Sequence, residues 1–145
     1  MPRIEGYSFG LIVVDGEEQT RDVIVLPERV VAWSAGAMAL GEWTLIRDKR
    51  PGDAQRRYRS ALSLVPRIAV IPHFDRFGER WVDGALAGAP RDDVVLVAVD
   101  ERSAALWRNG AWQVFGPGGV TIITRSDRRR FAAGERIGGI PQPAV

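Results

Sequence analysis

The stretch Arg67-Ile68-Ala69-Val70-Ile71-Pro72 decides the fold class. It is an apolar run without polar alternation. That is the pattern of a strand covered on both faces, as in a buried parallel sheet. Working outward, Asp93-Val94-Val95-Leu96-Val97-Ala98-Val99 repeats the pattern. Between them, residues 77 to 86 read as a helix with Trp81, Ala85 and Leu86 near one face. Further on, Asn109-Gly110 separates Ala105-Leu106-Trp107-Arg108 from Ala111-Trp112-Gln113-Val114, a strong hairpin signal of type I′. Val120-Thr121-Ile122-Ile123-Thr124 reads as a last strand. The tail from Ser126 is basic and then rich in Gly and Pro, and reads as peripheral.

On the N-terminal side, Phe9-Gly10-Leu11-Ile12-Val13-Val14 and Arg21-Asp22-Val23-Ile24-Val25-Leu26 read as two strands. Asp15-Gly16 supplies the turn signal for an antiparallel hairpin. Val30-Val31-Ala32 is a short strand that stops at Trp33-Ser34. Ala35-Gly36-Ala37-Met38-Ala39-Leu40 follows as a helix of small residues. Residues 47 to 59 are polar with Pro51-Gly52 inside, and read as a surface loop. The whole predicts an α/β fold: a mostly parallel central sheet with flanking helices, plus an N-terminal β-hairpin.

Composition narrows the chemistry. The chain has 145 residues, 46% hydrophobic and 26% charged, which is ordinary for one globular domain. No apolar run reaches the ~20 residues a membrane span needs, and no signal-peptide h-region follows Met1, so a cytoplasmic protein is expected. The chain contains no cysteine, which excludes disulfides, thiolate metal sites and Cys nucleophiles. A single histidine, His73, leaves little room for a metal site, and neither a metal nor a cofactor is expected. Net charge is +2, and basic residues cluster at residues 47–59 and 125–130. Apart from Tyr58, no aromatic residue interleaves with these clusters as a nucleic-acid stacking platform needs, so a solvated face is the plainer reading.

Three polar residues share one kind of position. Ser34, His73 and Glu101 each follow a predicted strand, where sites assemble in open α/β sheets. A serine is a weak nucleophile until a base takes its proton, and the base needs a carboxylate to fix its tautomer. Ala32-Trp33-Ser34-Ala35-Gly36 is similar to a G-x-S-x-G nucleophile elbow, with Ala32 where glycine is usual. The Ala35 N–H, at the start of the helix, is placed to be an oxyanion donor. A serine in a tight turn or at a helix N-cap, and a hydrogen-bonded strand-end histidine, account for the same residues without catalysis. The tryptophans read as core or hairpin-face residues; Trp33, beside Ser34, reads alternatively as a substrate wall.

Ser34-Ala35-Gly36-Ala37-Met38 resembles the S-A-G-A-M run of the peptidase S51 family, which includes dipeptidase E and cyanophycinase. Ile71-Pro72-His73-Phe74-Asp75-Arg76-Phe77 looks like that family's catalytic-His segment. Val99-Asp100-Glu101-Arg102-Ser103-Ala104 looks like its D-E-x-[ST]-A segment. The three motifs are 39 and 28 residues apart, in the family's order. The resemblance covers about residues 30 to 124. It implies a class I glutamine-amidotransferase-like fold, with Ser34 as nucleophile, His73 as base and Glu101 as orienting carboxylate. Asp48 is a second candidate for that last role. It also implies a small peptide or amide substrate, and acidic groups on it would suit Arg76 or Arg80.

Residues 1–31 look instead like the opening of an Mth938-like domain, a small non-enzymatic α/β module. The expected organisation is therefore an Mth938-like segment over 1–31, an S51-like region over 32–124 and a basic tail over 125–145. Only 33 residues precede Ser34, where S51 members carry several β-α units and a loop with the second oxyanion N–H. That half of the site is then missing or rebuilt from the hairpin. The alternative is a catalytically silent binding or assembly module, whose unpaired sheet edges would favour a homodimer.

Overall fold

The computed structural model describes residues 4–8, 11–14, 17–19, 23–26, 30–47 and 56–144, with side chains over 32–46 and 56–144. Five strands come first: β1 (Ile4–Ser8), β2 (Leu11–Val14), β3 (Glu17–Gln19), β4 (Val23–Leu26) and β5 (Val30–Trp33). Helix α1 (Ala35–Leu40) leads into β6 (Gly41–Arg47), and then come β7 (Arg56–Ser60) and β8 (Val65–Ile71). A 3-10 turn at Gly78–Trp81 runs into α2 (Val82–Ala87). The remaining strands are β9 (Val95–Val99), β10 (Ala104–Arg108), β11 (Ala111–Phe115), β12 (Gly119–Ile123), β13 (Arg128–Ala132) and β14 (Arg136–Ile137).

The fold is α/β. Its central sheet has six strands in the order β13-β12-β9-β8-β6-β7. The middle of this sheet is parallel, β6 with β8 and β8 with β9, and antiparallel pairs flank it on both sides. Burial explains the apolar runs. Every residue of β9 and β12 is buried, and Ile68 to Ile71 of β8 are at most 1% exposed. A strand with both faces covered has no polar side to alternate with.

The β6–β8 pairing carries a bulge, because Gly41 faces Val65 but Trp43 faces Ala69. Arg67 sits in the bulge with φ of 63°, and its N–H donates to Glu42 Oε2 at 2.7 Å. Gly41 lets the strands close up: a Cβ there would lie 2.6 Å from the Ile68 carbonyl oxygen.

A second sheet of five strands has the order β14-β11-β10-β4-β5. Its β10–β11 hairpin turns on Asn109 and Gly110, both with positive φ, as a type I′ turn requires. A third sheet is the antiparallel meander β1-β2-β3.

Four sequence expectations change. The hairpin expected between residues 9–14 and 21–26 does not form as drawn, and Asp15 and Gly16 lie outside the described residues. Instead β2 pairs with β3, while β4 pairs antiparallel with β5 and parallel with β10. A parallel partner some eighty residues away leaves no local signature. Residues 47 and 56–59, read as loop, belong to β6 and β7. As an edge strand with exposed Arg57, Arg59 and Ser60, β7 needs no apolar face. The single helix expected over 77–86 is a 3-10 turn followed by one short helix. Finally, the basic tail is built in: β13 pairs with β12 along its length, and Ile137 of β14 is buried beside Trp112.

Candidate functional site

Three chain reversals build the site, one after each of β5, β8 and β9. Ser34 lies between β5 and α1 with φ of 51° and ψ of −124°. A non-glycine residue in that region stores strain of about 1–3 kcal/mol and persists only where its surroundings hold it. Here the Ser34 carbonyl accepts the Met38 N–H, while Ala37, Met38 and Leu40 of α1 are buried. The Ser34 hydroxyl makes no helix-capping bond. It lies instead 3.0 Å from His73 Nε2. The capping account of this serine is therefore not how its side chain is used.

His73 follows β8, again with positive φ, 52°. Its carbonyl accepts the N–H groups of Arg76, Phe77 and Gly78, so the chain wraps around it. Gly78 is forced by this wrapping, because a Cβ there would meet Ile71 at 2.8 Å. The imidazole is mostly covered, with its side chain 20% exposed, and Phe77 stacks on it at 5.2 Å between ring centres. Nδ1 lies 3.3 Å from Glu101 Oε1. A carboxylate can only accept, so the tautomer that suits this contact carries its proton on Nδ1 and uses Nε2 as acceptor for the Ser34 hydroxyl; at 3.3 Å the contact is electrostatic and not a formed hydrogen bond.

Glu101 follows β9, in a turn whose next residue, Arg102, has φ of 60°. Its Oε2 receives Arg76 Nε at 3.1 Å, and its N–H donates to Asp75 Oδ1 at 2.8 Å. The loop 116–119 clamps this turn. Gly118 N–H donates to Ser103 Oγ at 3.0 Å, and Gly119 N–H donates to Asp100 Oδ2 at 2.9 Å. Gly116 has φ of 98°, and a Cβ there would stand 2.1 Å from the Arg102 carbonyl oxygen. Asp100 is 2% exposed, and Arg130 of β13 donates to its Oδ2.

Ser34, His73 and Glu101 thus converge from positions far apart in the sequence. Ala35 opens α1 next to Ser34, and Trp33 before it is 42% exposed. Arg76 is engaged through Nε by Glu101, while its side chain stays 64% exposed. Arg80 Nε donates to the Phe77 carbonyl at 3.2 Å. Asp48 lies outside the described residues. Sequence reasoning gave no role to Asp75, Phe77, Asp100 or Ser103. Their one signal was membership of the two strand-end segments that hold His73 and Glu101.

A cleft of about 470 Å³ is lined by Phe74, Asp75, Glu79, Asp100, Arg128 and Arg130 among others, and by none of Ser34, His73 and Glu101. Its arginines are bound to carboxylates: Arg128 to Glu79 and Arg130 to Asp100. The guanidinium of Arg128 holds the Glu79 carboxyl below the usual carboxylate range. Arg125 likewise pairs with Asp92, and Arg129 with Asp127. The 125–130 cluster is thus matched charge for charge by nearby acids. Among the described residues, no group of three or more His, Asp or Glu is placed to hold a metal ion. No described helix is long and apolar enough to cross a membrane.

The sequence matches no known family model, and no curated protein matches it. Among solved structures, the chain is similar to the crystal structure of a peptidase from an acI-B1 Actinobacterium. It shares its fold with a peptidase. The TM-score is 0.53 and the identity 27%, over 70% of this chain and 42% of that one. The chain therefore spans less than half the length of this peptidase.

Proposed function

We propose that the protein is a serine hydrolase of the peptidase or amidase type, working through an acyl-enzyme on Ser34 in the manner of the S51 family. One observation carries the reading. A serine hydroxyl in a strained elbow lies 3.0 Å from the lone imidazole, whose other nitrogen lies 3.3 Å from a carboxylate. The peptidase likeness over 70% of the chain supports it.

In this reading His73 Nε2 takes the Ser34 proton as Oγ attacks the substrate carbonyl carbon. Glu101 stabilises the imidazolium that forms. The negative oxygen of the tetrahedral intermediate meets the Ala35 N–H, one donor of an oxyanion hole. Collapse breaks the C–N bond, and the imidazolium gives its proton to the departing amine. Water, deprotonated by the same imidazole, then attacks the ester carbon; the C–Oγ bond breaks and the imidazolium returns its proton to Ser34 Oγ. Trp33 walls the substrate, and Arg76 faces an acidic group on it.

A burst experiment tests the reading. With an activated amide or ester, the wild type should release about one leaving group per protein before the steady state. A folded protein that shows neither burst nor turnover contradicts the proposal.

A second reading has its own observation. β5, the strand that delivers Ser34, belongs to the second sheet and runs antiparallel to β4, outside the parallel middle of the central sheet. A silent binding or assembly module with Mth938-like residues 1–31, dimerising through a sheet edge, would keep this geometry without turnover. Concentration-dependent dimerisation together with no burst would favour it.

A further inference from the structure

The turn after β8 does more than present the base. Each residue from His73 to Phe77 is tied either to the imidazole or to the segment of Glu101. His73 supplies the ring, and Phe74 N–H donates to the Val99 carbonyl at 3.0 Å, joining the ends of β8 and β9. Asp75 Oδ1 accepts the Glu101 N–H at 2.8 Å. Arg76 holds Glu101 Oε2, and Phe77 lies against the imidazole.

From this arrangement we infer that Asp75 is a positioning residue: by anchoring the Glu101 backbone, it sets which carboxylate oxygen faces His73 Nδ1. The inference rests on the reading of Ser34, His73 and Glu101 as a triad.

A Glu side chain has three rotatable bonds, and Arg76, at 64% exposure, is a weak restraint on them by itself. The backbone of Glu101 must therefore be fixed first. It sits in a two-residue reversal closed by the Ser103 N–H on the Asp100 carbonyl at 3.3 Å, with Arg102 at positive φ. Asp75 supplies the acceptor for that N–H. A charge-assisted bond to a backbone donor is short and directional. Without it the Glu101 N–H loses its acceptor in a turn that the 116–119 loop grips at Asp100 and Ser103 but not at Glu101; Oε1 then drifts from Nδ1, and the imidazole loses the contact that favours its proton on Nδ1.

His73 is the only histidine in the chain, so its ring nitrogens give an unambiguous ¹⁵N signal. In the wild type at a pH where the imidazole is neutral, the Nδ1–H tautomer should dominate. In Asp75→Ala a mixture with the Nε2–H form should appear, and fluorophosphonate labelling of Ser34 should slow by about 10- to 100-fold. Asp75→Asn keeps an oxygen acceptor and should restore most of both signals. Should Asp75→Ala fail to fold, Asp75→Glu, which displaces the acceptor by one methylene, should show the same tautomer mixing. A wild-type tautomer in Asp75→Ala or Asp75→Glu overturns the inference. So does an Asp75→Asn variant as disturbed as Asp75→Ala. Absence of labelling in the wild type, with the tautomer still responding to Asp75, would strike the hydrolase reading and leave the positioning role standing.

Discussion

Glu101 is shared between two side chains of the same turn: Oε1 stands 3.3 Å from His73 Nδ1 and Oε2 stands 3.1 Å from Arg76 Nε. One carboxylate therefore joins the base to the residue three positions after it. This leaves the imidazole a single use for its other nitrogen, which faces the Ser34 hydroxyl.

The Glu101→Gln substitution tests that division of labour. An amide can offer His73 an N–H in place of an oxygen and so favour the wrong tautomer. Where an orienting carboxylate of this kind is replaced by its amide, activity falls by about 10⁴-fold. A comparable loss in kcat, with KM little changed, is expected here. A loss below about tenfold would mean that Glu101 does not orient the base.

Arg130→Ala should destabilise the fold. Asp100 is 2% exposed, and Arg130 is its guanidinium partner. Removing one member of a buried pair leaves the other desolvated. Arg130 itself is half exposed, which lets water replace part of the loss. A decrease of about 1–3 kcal/mol is expected from denaturant unfolding. A change within about 0.5 kcal/mol, typical of neutral surface positions, would contradict the account of β13.

Tyr58 predicts an alkaline limit to stability. Burial is the main cause that pushes its hydroxyl up to about 12, with Arg125 opposing. The hydroxyl donates to the Ala85 carbonyl at 2.8 Å, tying β7 to α2. The folded state thus holds the phenol proton more tightly than the unfolded state does. Its contribution is fully present below about pH 10 and is lost as pH rises towards about 12. Unfolding curves at pH 8, 10 and 11.5 should show the wild type losing stability faster than Tyr58→Phe. Parallel curves would contradict this assignment.

How much of this was legible in the sequence follows from where each signal resides. β8 and β9 were readable because burial on both faces writes itself as an apolar run. The Asn109-Gly110 turn was readable because few residue pairs adopt two positive φ angles. β7 and β13 were not, because an edge strand is held by backbone hydrogen bonds that any sequence can make. Arg128-Arg129-Arg130 looks like a solvated tail, yet its backbone pairs with β12. Ser34, His73 and Glu101 were singled out by their position after strands and by their likeness to three S51 segments, and their side chains do lie together. The role of Asp75 was not, since accepting a backbone N–H from a distant turn leaves no side-chain pattern.

Fluorophosphonate labelling of the purified protein, followed by peptide mass mapping, reads directly whether Ser34 is a nucleophile. One phosphonyl adduct per chain is expected, on Ser34, absent in Ser34→Ala and slowed by several orders of magnitude in His73→Ala. A folded wild type that takes no label, or that takes it on another residue, would contradict the assignment of Ser34 as the nucleophile.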